Sequence, residues 1–393
     1  MVNKRYIHRE LEQELLERAG EFPVLVLTGP RQTGKSTLLK RLFHGHQYVS
    51  LDDPLIRKQA ADDPHVFLEN YTPPVLVDEI QYAPQLLPYI KTLVDQDRGK
   101  NGAYILTGSQ MFPLMQGISE SLAGRAALFE LLGFSLAELS PVKKMRTVRG
   151  CYELIFQGAF PEVCVHHADV DTFYNSYIQT YLERDVRQIR AVHDLNVFQN
   201  FLELLAARCG SLLNLNEISK ECGVSAATAR NWLSILEISR VIYLLRPYHK
   251  NISKRVVKSP KVYFTDTGLL SYILRYPDAA TLQKGPLSGQ VFENFIVMEM
   301  LKHKFNYNKR YELYFYRDSN HNEADMIIDM GYKNILVEIK QTKTLQERHW
   351  KQAAKIADEL DIEERFVVSN CSDNIQLSHR VRNVPWWSIA EVV

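Results

Sequence analysis

The chain has 393 residues, of which 46% are hydrophobic and 24% charged, the balance of an ordinary globular protein. That composition excludes a mostly disordered, collagen-like or membrane-embedded chain, since the apolar runs are strand-sized and far short of the ~18 residues of a membrane span. Forty-seven basic against 46 acidic residues give a net charge of +1, so bulk charge argues neither for nor against a nucleic-acid partner. The charged amino-terminal stretch MVNKRYIHRELEQELLERAG has a helical pattern and no apolar core of signal-peptide type, so a cytoplasmic location without membrane contact is expected.

Residues 1–140 alternate short apolar strands with helical stretches: VLVLT at 24–28, YVSL at 48–51, VLVDE at 75–79, AYILTGS at 103–109 and ALFELL at 127–132. β-rich runs separated by helices predict a parallel sheet covered on both faces. After the first strand, GPRQTGKS at 29–36 fulfils the P-loop pattern G-x-x-x-x-G-K-[ST]. Its glycines let the loop wind tightly, so that backbone N–H groups face an anion beside the positive end of the following helix. Gly29, Pro30, Arg31, Gln32, Thr33, Gly34, Lys35, Ser36 and Thr37 are the expected nucleotide-binding residues. Lys35 would reach the β- and γ-phosphates of ATP, and the Ser36 hydroxyl would ligate Mg²⁺.

The strand at 75–79 ends in two carboxylates. Asp78 can hold the Mg²⁺ and Glu79 can polarise an attacking water. The competing reading is a pair of acids favouring the positive end of a helix. The next strand ends with Thr107 and Ser109, polar groups where a γ-phosphate sensor would sit. Arg125, just before the strand at 127–132, suits either an arginine finger for a neighbouring subunit in a homo-oligomer or a salt-bridged surface residue.

From about 150 to 240, apolar residues recur at helical spacing, as in Tyr174, Tyr177, Ile178, Tyr181 and Leu182, then Phe198, Phe201, Leu202 and Leu205. The segment at 213–248 reads as helix, turn at Gly223, second helix capped by Ser225, and strand: a winged-helix pattern with Leu233 and Leu236 inward and Thr228, Arg230 and Asn231 outward. Arg240 to Thr265 carries seven basic residues and no acidic one. Arg230, Lys250, Lys254, Arg255 and Lys258 are the candidate contacts to a DNA or RNA backbone. A solvated face or a protein-docking winged helix fits the same pattern.

After about 285, a helix over 292–302 precedes strands at 312–317, 324–329 and 334–340, a helix at 346–360 and a strand at 365–369. EADMIID and ILVEIK place Asp325 on one strand and Glu338 and Lys340 on another, the latter two on one face because strand side chains alternate. Asp325 and Glu338 could hold a second Mg²⁺ or a Mn²⁺, with Lys340 orienting water and Glu293 as a further ligand. The arrangement resembles the core of the PD-(D/E)xK nuclease superfamily, used both for cleavage and as an inactive binding platform. Charge alternation on a solvated strand face would look alike. The five cysteines (Cys151, Cys164, Cys209, Cys222 and Cys371) include no C-x-x-C pair and read as reduced, mostly buried thiols. The histidines lack the spacing of a zinc enzyme.

GPRQTGKSTLL, SLDDP, VDEIQ, LLPYIK, LTGSQ and SESLAGR, followed by YLERDV, NWLSILEIS, KSPKVYFTDTGLL, GQVFENFIVMEM and VEIKQTKT, occur in this order across nearly the whole chain. In these the chain resembles a largely uncharacterised family of prokaryotic AAA-type ATPases with a carboxy-terminal region of unknown function. The resemblance implies ATP binding and hydrolysis at Lys35, Ser36, Asp78 and Glu79, with Ser109 and Arg125 as accessory residues. The expected architecture is α/β: a P-loop AAA-type ATPase domain with a parallel sheet at 1–140, a helical region at 141–210, a winged-helix region at 211–284 and a restriction-endonuclease-like α/β domain at 285–393. The expected function is ATP-driven handling of nucleic acid. The rival is a nucleotide-switched regulatory protein whose last domain is catalytically silent and docks a protein or DNA partner.

Overall fold

In the computed structural model, five runs pair side by side: β1 (Val24–Thr28), β2 (Gln47–Ser50), β3 (Val75–Asp78), β4 (Tyr104–Gly108) and β5 (Ala126–Glu130). Residues 6–97, 99–109, 121–141, 146–182, 195–249 and 259–393 are described. The order is β2-β3-β4-β1-β5, and every pairing is parallel. The central strands β1, β3 and β4 are buried throughout, whereas β2 and β5 expose residues, as edge strands must. Alternation splits each central strand between two cores. Val24, Val26, Val75, Val77 and Leu106 pack on Phe67 of α4 (Pro64–Asn70) and Leu86 and Ile90 of α5 (Leu86–Gln96). Leu25, Leu27, Leu76 and Ile105 pack on Leu15 of α1 (Glu12–Ala19) and on Leu38 and Leu39 of α2 (Lys35–Leu42). Each such buried side chain contributes about 1.5–3 kcal/mol. Between β2 and α4 lies α3 (Pro54–Asp62), capped by the Asp53 carboxylate. Because all five strands run the same way, residues 29–34, Asp78, Glu79 and Ser109 emerge at one edge of the sheet, where α/β proteins bind ligands.

The chain divides into two compact units, 1–134 with 238–240 and 305–308, and 135–237 with 241–304 and 309–393. In the second, a helical stretch of α6 (Leu136–Leu139), α7 (Val148–Gln157), α8 (Pro161–Cys164), α9 (Val170–Tyr177), α10 (Leu195–Ala207), α11 (Leu215–Glu221) and α12 (Ala226–Ile238) leads into a mixed sheet. Further helices are α13 (Thr267–Ile273), α14 (Ala279–Lys284), α15 (Ser288–Asn306) and α16 (Lys351–Leu360). The eight strands are β6 (Ile242–Pro247), β7 (Lys261–Phe264), β8 (Glu312–Arg317), β9 (Glu323–Asp329), β10 (Asn334–Lys340), β11 (Glu364–Ser369), β12 (Gln376–Ser378) and β13 (Val381–Pro385), ordered β12-β13-β11-β10-β9-β8-β6-β7. The expected helix at 292–302 extends in both directions to form α15, and the helix expected from 346 begins at Lys351 after a 3₁₀ turn. β6, expected as a wing strand, pairs antiparallel with β7 and parallel with β8, so one sheet crosses the boundary expected at 284/285.

Candidate functional site

The loop between β1 and α2 is held in a shape that only its glycines permit. Gly29 has φ +135°, and a Cβ there would lie 2.2 Å from the Leu131 carbonyl oxygen. Gly34, at φ +91°, turns the chain into α2. Lys35 is buried, and its Nζ donates to the Gly29 and Pro30 carbonyls at 2.9 and 2.7 Å. Burial lowers its pKa to about 8, although the nearby Glu79 and Asp78 carboxylates pull the other way. Buried Thr33 donates to Pro30 O at 3.0 Å, and Thr37 is exposed on the first turn of α2.

Asp78, at the tip of β3, is the hub of the site. Its Oδ1 accepts from Ser36 Oγ at 2.9 Å and from the Thr107 hydroxyl at the end of β4, and its Oδ2 accepts from Tyr48 OH of β2 at 2.9 Å. Burial and the Asp78 charge push the Tyr48 phenol up to about 12. Glu79 follows with φ +59°, a left-handed turn out of the strand, and its N–H donates to Thr107 Oγ1 at 3.1 Å. Ser109 Oγ donates to Glu79 Oε2 at 3.0 Å, and Gln81 Nε2 donates to the same oxygen. Asp52 has its carboxyl pKa raised by partial burial and by the Glu79 and Asp78 charges, so negative charge crowds this edge. A hydroxyl and a carboxylate already 2.9 Å apart form the hard oxygen donor set a Mg²⁺ ion takes, so Ser36 and Asp78 fit the metal that the fold implies.

Three contributors escaped the sequence reading. Tyr48 and Gln81 sit in motif-like stretches, but nothing in their spacing indicates their partners. Arg9, far upstream, is buried with Nη1 on Thr33 O at 2.9 Å and Nη2 on Leu132 O at 2.8 Å, which ties the phosphate loop to the chain after β5. Arg125 is not brought to the loop. It precedes β5 at the opposite end of the parallel strands and forms a two-pronged pair with Asp95, both contacts at 2.8 Å.

The carboxy-terminal residues also converge. The antiparallel β9–β10 register runs to Val337 opposite Met326, next to Glu338 and Asp325, and Asp325 Oδ2 accepts from Ile339 N at 2.7 Å. Lys340 Nζ lies 2.6 Å from Glu338 and 3.2 Å from Asp325. Both carboxylates are buried, so these charges are not a solvated strand face. Burial and the Asp325 charge push Glu338 up to about 8, and its Oε2 has no hydrogen-bond partner.

Glu293 does not complete a ligand set. On α15 it accepts from Lys261 Nζ at 3.1 Å and Tyr263 OH at 2.6 Å, because these two residues of β7 share the strand face turned toward that helix. Lys261 also pairs with Glu323 at 2.6 Å. Among the described residues no three His, Cys, Asp or Glu side chains are grouped to hold a metal, so the donor set does not fit the expected second ion.

The basic stretch is likewise altered by folding. Lys261 is buried against carboxylates, Arg240 pairs with Glu130 and Arg246 lies 3.8 Å from Glu237. Lys250, Lys254, Arg255 and Lys258 lie outside the described residues. Gly223 adopts φ +68°, and Ser225 Oγ accepts from Thr228 N at 3.0 Å at the start of α12. Leu233 and Leu236 are buried there, while Arg230 and Asn231 are exposed.

Residues 21–140, which carry the phosphate loop, Asp78, Glu79 and Ser109, match the family model described as an AAA domain. Residues 21–140 accordingly form an AAA-type domain. Residues 149–280 and 288–389 match two domains of unknown function, DUF8612 and DUF4143. Two proteins described as uncharacterised, from Mycobacterium bovis and Mycobacterium tuberculosis, are each 31% identical over 340 residues, spanning 86% of this chain and 74% of theirs. The chain belongs to the family of these mycobacterial proteins. Among solved structures, a Walker-type ATPase of Pyrococcus abyssi superposes with a TM-score of 0.45 at 16% identity, covering 67% of this chain and 94% of that one. Among the described residues no helix is long and apolar enough to cross a membrane.

Proposed function

We propose that the chain hydrolyses ATP at the edge formed by residues 29–37, Asp78, Glu79 and Ser109, and uses the resulting change to act on nucleic acid. The observation that carries the first half is the convergence of Ser36, Tyr48 and Thr107 on Asp78 beside a held Glu79. The loop N–H groups and Lys35 bind the β- and γ-phosphates. Lys35 must exchange its two carbonyl partners for phosphate oxygens, whose negative charge favours the ammonium form. Mg²⁺, when bound by Ser36 and Asp78, neutralises charge on those phosphates. Glu79 takes a proton from the attacking water as its oxygen bonds to the γ-phosphorus and the bond to the bridging oxygen of ADP breaks. Ser109 donates to the γ-phosphate. Glu79→Gln should retain ATP affinity and lose turnover by at least about a hundredfold. Lys35→Ala should lose both, and undiminished hydrolysis in Lys35→Ala would refute the assignment.

The nucleic-acid half rests on exposed Arg230 and Asn231 at the start of α12 and on the basic residues 250–258 of the sequence. Reversing the charges of Lys254, Arg255 and Lys258 should weaken DNA binding and flatten its salt dependence. A second reading, a nucleotide-switched docking protein with a silent last domain, is favoured by one observation: Lys261 and Lys340 already neutralise the carboxylates of the nuclease-like cluster. A plasmid nicked with Mg²⁺ or Mn²⁺ by the wild type but not by Glu338→Ala would reject that second reading. Absence of cleavage with either ion would support it. Arg125, paired with Asp95, would act as a finger in a homo-oligomer only after leaving that partner.

A further inference from the structure

Glu79, Ser109 and Gln81 share very few protons. Ionised, Glu79 only accepts. Ser109 has a single O–H, which here goes to Glu79 Oε2 at 3.0 Å. Gln81 has two N–H groups, one on Glu79 Oε2 and the other on Ser109 Oγ at 3.2 Å. The amide orientation is fixed by chemistry, since Gln81 Oε1 cannot face a carboxylate that has no proton to give. Gln81 is 7% exposed and its Oε1 is buried with no hydrogen-bond partner. Such an acceptor costs about 1–3 kcal/mol unless the working state supplies a donor.

We infer that Gln81 is a positioning residue for ATP hydrolysis, holding the Glu79 carboxylate in place when Ser109 turns its one proton from Glu79 to the γ-phosphate. The inference rests on the reading of Glu79 as base and Ser109 as the group that meets the γ-phosphate. Ser109 cannot donate to Glu79 and to a phosphate oxygen at once, so on nucleotide binding Glu79 loses one of its two side-chain donors. The Gln81 amide remains. Gln81 Oε1, the buried acceptor next to this carboxylate, is then available to the second proton of the attacking water, which orients that water toward Glu79. The 3₁₀ turn Ile80–Tyr82 and the left-handed backbone of Glu79 place Gln81 where it can do this.

The test uses the full chain and compares Gln81→Met, of similar length without donors, with Gln81→Leu, which also has no donor or acceptor and adds no charge beside Glu79. Steady-state turnover and calorimetric ATP affinity are measured for each, alone and combined with Glu79→Gln. Both variants are expected to lower kcat about ten- to a hundredfold, with ATP affinity within about twofold of wild type. In the Glu79→Gln background, Gln81→Met is expected to change residual turnover by less than about twofold, because Gln81 acts through Glu79. A purely structural residue would lower turnover equally in both backgrounds, and that result overturns the inference. So does a kcat within about twofold of wild type in both single variants. If Gln81→Met fails to fold, Gln81→Leu decides alone. Wild-type turnover in Glu79→Gln itself would instead reject Glu79 as the base, a separate failure that the same set of proteins identifies.

Discussion

Replacing Arg9 with methionine should loosen the phosphate loop without altering any residue of the loop. The buried guanidinium donates to Thr33 O at 2.9 Å and Leu132 O at 2.8 Å, and lies 4.5 Å from the centre of the Phe134 ring. Hydrogen bonds from a charged donor contribute about 1.5–3 kcal/mol each, and truncation leaves these two carbonyls, and that of Gly133 at 3.4 Å, without that donor. Relief of the guanidinium's own desolvation offsets part of the loss. The net cost comes to about 3 kcal/mol for the first unit, or about 10 °C in its unfolding midpoint. Urea titration resolves it: the transition that shifts upward with added ATP reports the first unit, since a ligand stabilises only the fold that binds it. That transition should move to lower urea in Arg9→Met and lie between the two in Arg9→Lys, which supplies a donor but cannot span both carbonyls. ATP should also bind more weakly to Arg9→Met, because Thr33 belongs to the loop. A loss below about 1 kcal/mol, with unchanged ATP affinity, would refute the reasoning.

Tyr104→Phe should stabilise the protein, by about 1 kcal/mol at neutral pH in the same titration, because the Tyr104 hydroxyl is buried with no partner. Burial raises its pKa to about 12. The folded state therefore keeps a proton that the unfolded state loses above about 10, so wild-type stability falls and the advantage of phenylalanine widens as pH rises from 10 toward 12. In the second unit, Asp266 accepts from Ala159 N at 2.7 Å, Leu269 N at 2.9 Å and Tyr174 OH at 2.6 Å. Asp266→Ala should cost about 3 kcal/mol, seen as an earlier loss of the transition that ATP does not protect; a shift below about 1 kcal/mol would count against that bonding pattern.

What could be read from the residues is what depends on neighbours in sequence. The phosphate loop was legible because Gly29, Gly34, Lys35 and Ser36 act within one turn of chain, and the buried strands because an apolar run of five residues has few other ways to hide. The edge strands β2 and β5 were placed less well, since half-exposed residues blur that signal. The pairing of Glu338 and Lys340 followed from strand alternation alone.

The basic stretch shows the limit of linear counting for an equally physical reason. Counting lysines measures charge along the chain, but Lys261 meets Glu293 and Glu323, 32 and 62 positions away, only after three elements pack. The same contact engages Glu293. Arg9, Tyr48 and Gln81 became part of the site through hydrogen bonds that span a sheet or a turn, and Arg125 pairs with Asp95. Sequence alone determined the loop, the strand runs and the two carboxylates at the tip of β3, because local geometry specifies them. Which charges face a ligand and which neutralise one another was decided only by tertiary structure, since that depends on distances no linear spacing encodes.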